Sequence, residues 1–212
     1  DGGAHLQTCL VGLLKETRYS RIEVIIIDNG SRDAGTLSFL ASIGNDPRCR
    51  VFRHDIPFNF AELVNLAVKV AHGTLLCLLN DDIRFLQSTW LDEMVGLAAR
   101  ADVGMVGAHL LFDDGTIQHA GVVLGLEGHV AGHLYHYASE NEMRVQPLHN
   151  LVRQISAVTA ACCVMRREVF EAVGGMDAEN LAVNYNDVDL CLRIRDRGLK
   201  ILWTPYARLV HA

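Results

Sequence analysis

Apolar residues along this chain change period repeatedly, and each change predicts an element. Leu6, Leu10, Leu13 and Leu14 recur at helical spacing and predict a first helix. Ile22 to Ile27 is a β-branched run suited to a strand buried on both faces. Asp28-Asn29-Gly30-Ser31 breaks that run, and Val51-Phe52 reads as a weaker strand. Phe60, Leu63, Val64, Ala67 and Val70 form one apolar helix face. Asn59 can cap this helix with Glu62 as reciprocal partner, and Gly73 ends it. Thr74 to Leu79 is the next buried strand, closed by Asn80-Asp81-Asp82. Ser88 or Thr89 caps a helix running to about Arg100, and Val103 to Val106 reads as a strand.

This alternation of strand and helix predicts an α/β fold: a mostly parallel sheet with helices on both faces. Residues 113–150 differ, being rich in Gly and His and without helical periodicity. Asp113-Asp114-Gly115 is a hairpin signal. Val158 to Met165 reads as a strand, and Arg167 to Val173 as a short helix stopped by Gly174-Gly175. A further helix begins at Asp187 or Asp189 and ends at Gly198; Leu199 to Trp203 is the last clear strand, and Tyr206 to Val210 is strand-like. The expected organisation is one domain with two halves, 1–112 and 113–212. Such a sheet normally begins with a strand, whereas this chain begins with a helical pattern. The first strand is therefore expected to lie outside it, in a longer polypeptide with other domains.

Composition narrows the chemistry. Half of the 212 residues are hydrophobic, enough for a sizeable core. The net charge of −6 is spread without a polybasic run, which argues against nucleic acid or an anionic membrane as partner. Six cysteines form no C-x-x-C pair, and several sit in apolar runs, which suits a reducing compartment without a disulfide framework. No stretch approaches the roughly 20 apolar residues of a membrane span.

Candidate chemistry gathers where strands end or helices begin. Asp28 follows a buried strand, where ligands of open α/β sheets sit; it could instead only close an Asx turn. Asp81 and Asp82 repel each other unless a cation lies near, and oxygen ligands suit Mg²⁺ or Mn²⁺; a solvated or capping turn is the plainer alternative. In Asn186-Asp187-Val188-Asp189, Asp189 is the better helix cap and Asp187 the better free carboxylate. His211, at the end of a strand-like segment, is a metal ligand or a structural histidine. His129, His133 and His136 have histidine spacing, but Gly128 and Gly132 and the missing glutamate argue for a loop rather than a zinc helix. Neither G-x-x-x-x-G-K-S/T nor G-x-G-x-x-G occurs.

Taken together, 23–31, Phe58-Asn59-Phe60-Ala61, Leu78 to Asp82, Gly174 to Asp177, Asn186 to Arg193, and Thr204-Pro205-Tyr206 with His211 resemble the family 2 glycosyltransferases of GT-A fold. The resemblance implies an inverting sugar transferase using a nucleotide-diphosphate sugar, a divalent metal (Mn²⁺ or Mg²⁺) and a glycan or lipid-linked glycan acceptor. It implies that Asp28, Asn29 and Ser31, with Asn80, Asp81 and Asp82, bind the nucleotide-sugar. Asp82 and His211 would hold the metal, and Asp187 would be the general base. Gly174, Gly175, Asp177 and Asn186 would shape the acceptor side. It further implies a role in polysaccharide biosynthesis and a cytoplasmic location, with peripheral association at the inner face of the membrane left open. Two departures stand out: Asn80 occupies a position where the D-x-D segment begins with an acid, and Asn186 one where many relatives carry glutamate. A sugar-nucleotide-binding module without transfer activity and a metal-dependent nucleotidyltransferase are the competing readings.

Overall fold

The computed structural model describes residues 3–128 and 130–212. The first half runs α1 (Gly3–Lys15), β1 (Val24–Asp28), α2 (Ala34–Ile43), β2 (Cys49–Arg53), α3 (Phe60–Val70), β3 (Leu75–Leu79), β4 (Ile83–Phe85), α4 (Trp90–Ala98) and β5 (Val103–Leu111). The second half adds β6 (Ile117–His119), β7 (Val122–Leu124), β8 (Ala131–His133), α5 (Glu140–Met143), β9 (Arg153–Gln154), β10 (Cys162–Arg166), α6 (Arg167–Ala172), α7 (Asn186–Asp196) and β11 (Lys200–His211).

The α/β class matches the expectation. The main sheet has the order β3-β10-β5-β11-β4, with β6 beside β5 and β9 beside β11. The main sheet is not the mostly parallel one expected: β5 runs parallel to β11, but β10 is antiparallel to β3 and β5, and β4 to β11. Strands from both halves of the chain therefore interleave in one sheet. A separate parallel pair, β1 and β2, stands apart from it. Between β1 and β3 lies a cavity of about 690 Å³, apolar along the strands and polar at their carboxyl ends.

Period-two alternation puts successive residues of β10 into different cores. Cys163 and Met165 pack with Met105, Ile201, Trp203, Val64 of α3 and Leu190 and Ile194 of α7. Cys162 and Val164 pack with Val106, Leu110, Leu209, Leu10 of α1 and Trp90 and Met94 of α4. This double coverage explains why the strands read as continuous apolar runs.

Several local expectations are corrected. Helix α2 escaped notice because Gly35, Thr36 and Ser38 dilute its pattern; its signal is the cap Asp33, which accepts from the Thr36 N–H. Asn59 does cap α3, accepting from the Glu62 N–H at 2.9 Å, but Glu62 turns to His54 instead of completing the box. Thr89 occupies the α4 cap position without a side-chain bond. β11 passes through Pro205 unbroken, because Pro205 sits in an irregularity between Trp203 and Arg208 where no ladder bond is required.

Candidate active site

Asp28 ends β1 and is buried. Its Oδ1 accepts from the Ser31 N–H at 2.8 Å, and its Oδ2 from an Arg53 Nη1–H at 2.9 Å. Burial alone would raise its pKa, but the Ser31 bonds and the Arg53 guanidinium outweigh it and hold the carboxyl below its usual range. Asn29 donates its amide to His54 O and Ile56 O at 2.8 and 2.9 Å. The turn reading of Asp28 thus holds, yet the same residue lines the β1–β3 cavity beside Asn29, Ser31, Asn80 and Asp81.

Asn80, Asp81 and Asp82 leave the end of β3, and β4 brings their turn against the end of β11. His211 Nε2 lies 3.0 Å from Asp82 Oδ1 and 3.2 Å from Asn80 Nδ2. The approach to Asp82 is close, but off the direction a hydrogen bond requires, so the buried Oδ1 keeps no hydrogen-bond partner among the described residues. The two acids diverge. Burial and the neighbouring Asp82 raise the pKa of Asp81. For Asp82, burial would raise the value, and a protonated His211 outweighs it and holds the carboxyl low. Gln118 on β6 fixes the imidazole, its Oε1 facing His211 Nδ1. That contact places a proton on Nδ1 and leaves the Nε2 lone pair aimed at Asp82 and Asn80.

These features fit a divalent cation. A buried carboxylate oxygen lacks a partner, an imidazole lone pair points at the same place, and the donor set suits Mg²⁺ or Mn²⁺. Among the described residues, no three His, Cys, Asp or Glu side chains gather closely enough to hold a metal unaided. Substrate oxygens and water would have to complete the shell. His136 lies in a loop, as expected, but His133 ends strand β8, which the loop reading did not foresee; His129 lies outside the described residues.

Asp187 sits in the first turn of α7. Its Oδ2 accepts from the Ala160 N–H at 3.2 Å and its Oδ1 from its own neighbour, the Val188 N–H, at 2.8 Å. Residues 159–161 tie the separate groups together. Ala161 O accepts from the Asn80 N–H at 2.9 Å, Ala160 N–H holds Asp187, and Thr159 N–H points at His119 Nε2 at 3.4 Å. Asp189 is not a cap. It pairs with Arg193 at 2.6 Å, and Arg193 donates to Val173 O and Gly175 O at 2.6 and 2.7 Å. That pair anchors the Gly174-Gly175 turn, which Asn65 clamps from the other side through Met176. Asp177 closes the next turn on the backbone N–H groups of Glu179 and Asn180, and Asn186 is buried against Val183 O. Gln118 and His119 were invisible in the sequence, where nothing but a Gly/His-rich stretch marked them.

Residues 3–174 match the model of the family described as Glycosyl transferase family 2. The chain is 46% identical over 208 residues to the uncharacterized protein y4gI of Sinorhizobium fredii, covering 97% of this chain and 23% of that protein. It is 42% identical over 207 residues to the O-antigen biosynthesis protein RfbC of Myxococcus xanthus, covering 97% of this chain and 16% of that one. The chain thus spans less than a quarter of either relative. Among solved structures, GalNAc-T7 with UDP, GalNAc and Mn²⁺ superimposes with a TM-score of 0.79 at 16% identity, over 100% of this chain and 41% of that one. The Pyrobaculum calidifontis mannosyltransferase PcManGT, in complex with GDP-Man and Mn²⁺, gives 0.69 at 17% identity, over 99% of this chain and 53% of that one. With the family match covering most of its length, the chain belongs to glycosyl transferase family 2 and has the GT-A fold.

Proposed function

We propose that this domain transfers a sugar from a nucleoside-diphosphate donor to a hydroxyl of a glycan acceptor, inverting the anomeric carbon, with Asp187 as general base. The observation that carries the reading is the 159–161 segment. It bonds Asn80 of the Asp82–His211 cluster with one residue and Asp187 with the preceding one. The relatives add support: an O-antigen biosynthesis protein shares 42% of the aligned residues, and both fold neighbours were solved with Mn²⁺ and a nucleotide or nucleotide-sugar.

Asp82 and His211 would hold the cation, which would offset the charge developing on the departing diphosphate. Gln118 keeps the His211 lone pair turned towards that position. Asn80 contributes an amide where a carboxylate would add charge. Asp28, Asn29 and Ser31 form the rim for the base and ribose; Asp28 retains lone pairs beyond the two used by Ser31 and Arg53. Asp81 lies between this rim and the metal cluster, near the sugar or ribose. Asp187 takes the proton of the acceptor hydroxyl as its oxygen forms the new glycosidic bond. The backbone N–H groups of Ala160 and Val188 each occupy one lone pair of the carboxylate and fix its orientation, leaving others for that proton. Attack opposite the leaving diphosphate inverts the centre and requires no enzyme-bound sugar. Gly174, Gly175, Asp177 and Asn186 shape the wall beneath the acceptor.

The test is nucleoside-diphosphate release from a panel of UDP-, GDP- and dTDP-sugars with Mn²⁺. Asp187→Asn should leave Mn²⁺-dependent UDP or GDP binding within about threefold and lower turnover by roughly 10²–10⁴. Normal turnover removes Asp187 from the role. Asn80 favours a second reading, a nucleotide-sugar-binding module; Mn²⁺-dependent nucleotide binding without sugar release from any donor would establish it.

A further inference from the structure

His119 and His133 are hydrogen-bonded, Nδ1 to Nδ1, at 2.9 Å. Only one of these nitrogens can carry the proton. Thr159 N–H points at His119 Nε2, so that nitrogen is the acceptor and His119 carries its proton on Nδ1. His133 Nδ1 therefore accepts, and the proton of His133 sits on Nε2. Burial holds both rings neutral: His119 is driven well below the ordinary imidazole value by burial first and then by His133, and His133 is lowered by burial and His136. His119, which bonds His133, also faces the Thr159 N–H, and the adjacent Ala160 N–H holds Asp187, so one backbone segment links the imidazole pair to the carboxylate.

From His133 a row of rings leads outward. His133 and His136 lie 5.5 Å apart between centroids, His136 and Tyr137 are stacked at 4.0 Å, and Tyr137 stacks on Phe112 at 5.1 Å. Tyr137 is 68% exposed although large and apolar. Tyr135 and Tyr137 both adopt left-handed backbone, at φ of 58° and 63°. Such conformations are strained in a non-glycine residue and persist where surrounding bonds impose them. Here Tyr137 N–H bonds Ile117 O, Ile117 N–H bonds Ala138 O, and Leu134 N–H bonds Gly121 O, at 2.8, 2.9 and 2.9 Å. A strained, well-tied loop thus leaves the His136–Tyr137 stack exposed beside a preset N–H donor.

We propose that His133, His136 and Tyr137 are the acceptor-sugar subsite, with a pyranose ring packed on the His136–Tyr137 face and its hydroxyl or ring oxygen accepting from His133 Nε2–H. The inference rests on the transferase reading and narrows it: the acceptor is a pyranoside glycan rather than a lipid alcohol or a peptide hydroxyl. The apolar C–H face of a pyranose matches an aromatic surface, while its hydroxyls require fixed partners. A neutral donor serves better than a cation here, because a positive charge beside Asp187 would weaken it as a base.

Two measurements test this without a sugar donor. In protein labelled with ¹⁵N-histidine, long-range ¹H–¹⁵N correlation should show His119 as the Nδ1–H tautomer and His133 as the Nε2–H tautomer. Saturation-transfer NMR with methyl glycosides of glucose, galactose, mannose and N-acetylglucosamine should show at least one binding to the wild type. Tyr137→Ala should weaken that binding at least tenfold at an unchanged unfolding midpoint, with UDP–Mn²⁺ affinity within twofold of wild type. Reversed tautomers, no saturation of any pyranoside, or equal binding by Tyr137→Ala would each overturn the subsite. A failure of the transferase reading shows separately, as absent sugar release in the donor panel while pyranoside binding persists.

Discussion

Replacing Gly175 by alanine should destabilise the protein through two contributions, and Gly174 supplies the control that separates them. Both residues have left-handed backbone, with φ of 81° at Gly174 and 74° at Gly175. An alanine at either position costs about 1–2 kcal/mol in backbone strain. Around Gly174 nothing lies within 4 Å of an added Cβ. At Gly175 the added carbon would stand 2.7 Å from Asn65 Oδ1 and 3.1 Å from Phe170 Cε1. Asn65 cannot simply turn away. Its Oδ1 accepts from Met176 N–H at 2.9 Å and its Nδ2 donates to Met176 O at 2.8 Å. Losing that clamp should cost a further ~1 kcal/mol per bond. The expected totals are about 1–2 kcal/mol for Gly174→Ala and about 3–4 kcal/mol for Gly175→Ala. For a domain of this size that difference separates the two melting temperatures by roughly 4–8 °C. Chemical denaturation at constant slope is the assay. Equal losses for the two variants would refute the assignment of Asn65 as the clamp of the Gly174-Gly175 turn.

Other outcomes follow from the same geometry. Gln118→Ala should weaken Mn²⁺-dependent UDP binding by about 10–100-fold by releasing the His211 ring, measured by calorimetry with and without Mn²⁺. Glu140 is held down to a pKa of about 2 from 4.5, with His109 facing it at 3.5 Å and Arg208 giving it two bonds of 2.7 and 2.6 Å. The His109 contact lacks hydrogen-bond geometry, so Arg208 is the firmer hold. Because the folded-state pKa is depressed, this stabilisation is complete above pH 4.5 and is lost as pH falls towards 2. Glu140→Gln should therefore lower stability at pH 7 and flatten its dependence between pH 4.5 and 2, followed by urea unfolding across that range. Arg53→Ala should leave the buried Asp28 carboxylate without its cation and cost about 1–3 kcal/mol, with weakened nucleotide binding as a second readout.

Much of the first half was legible because its strands are almost wholly apolar, although Ile25 to Ile27 are only half-buried beside the cavity and Cys77 is exposed. Val24 to Ile27 and Leu75 to Leu79 read as unbroken apolar runs, and the acids that follow them sit where a strand must stop. Asp82 and His211 could be singled out for the same reason, although only antiparallel pairing of β4 with β11 brings them together. Strand β5 was read too short because the buried His109 interrupts its apolar sequence. Asp189 was misread as a cap because an acid near a helix start is ambiguous until Arg193, one turn later, is seen to claim it. His119 left no local signal. Its role depends on Thr159 and His133, which only tertiary pairing of β6, β7 and β8 places beside it.

The Asp82–His211 pair is the point on which the proposed chemistry turns, and nucleoside-diphosphate binding interrogates it directly. Calorimetric titration of UDP and GDP into the wild type, Asp82→Ala and His211→Ala, each with Mn²⁺ and with a chelator, is the measurement. The wild type should bind one nucleotide strongly only in the presence of Mn²⁺, and each variant should lose at least tenfold of that metal-dependent affinity. Binding that ignores Mn²⁺, or variants that bind as tightly as the wild type, would contradict a metal-held diphosphate at this site.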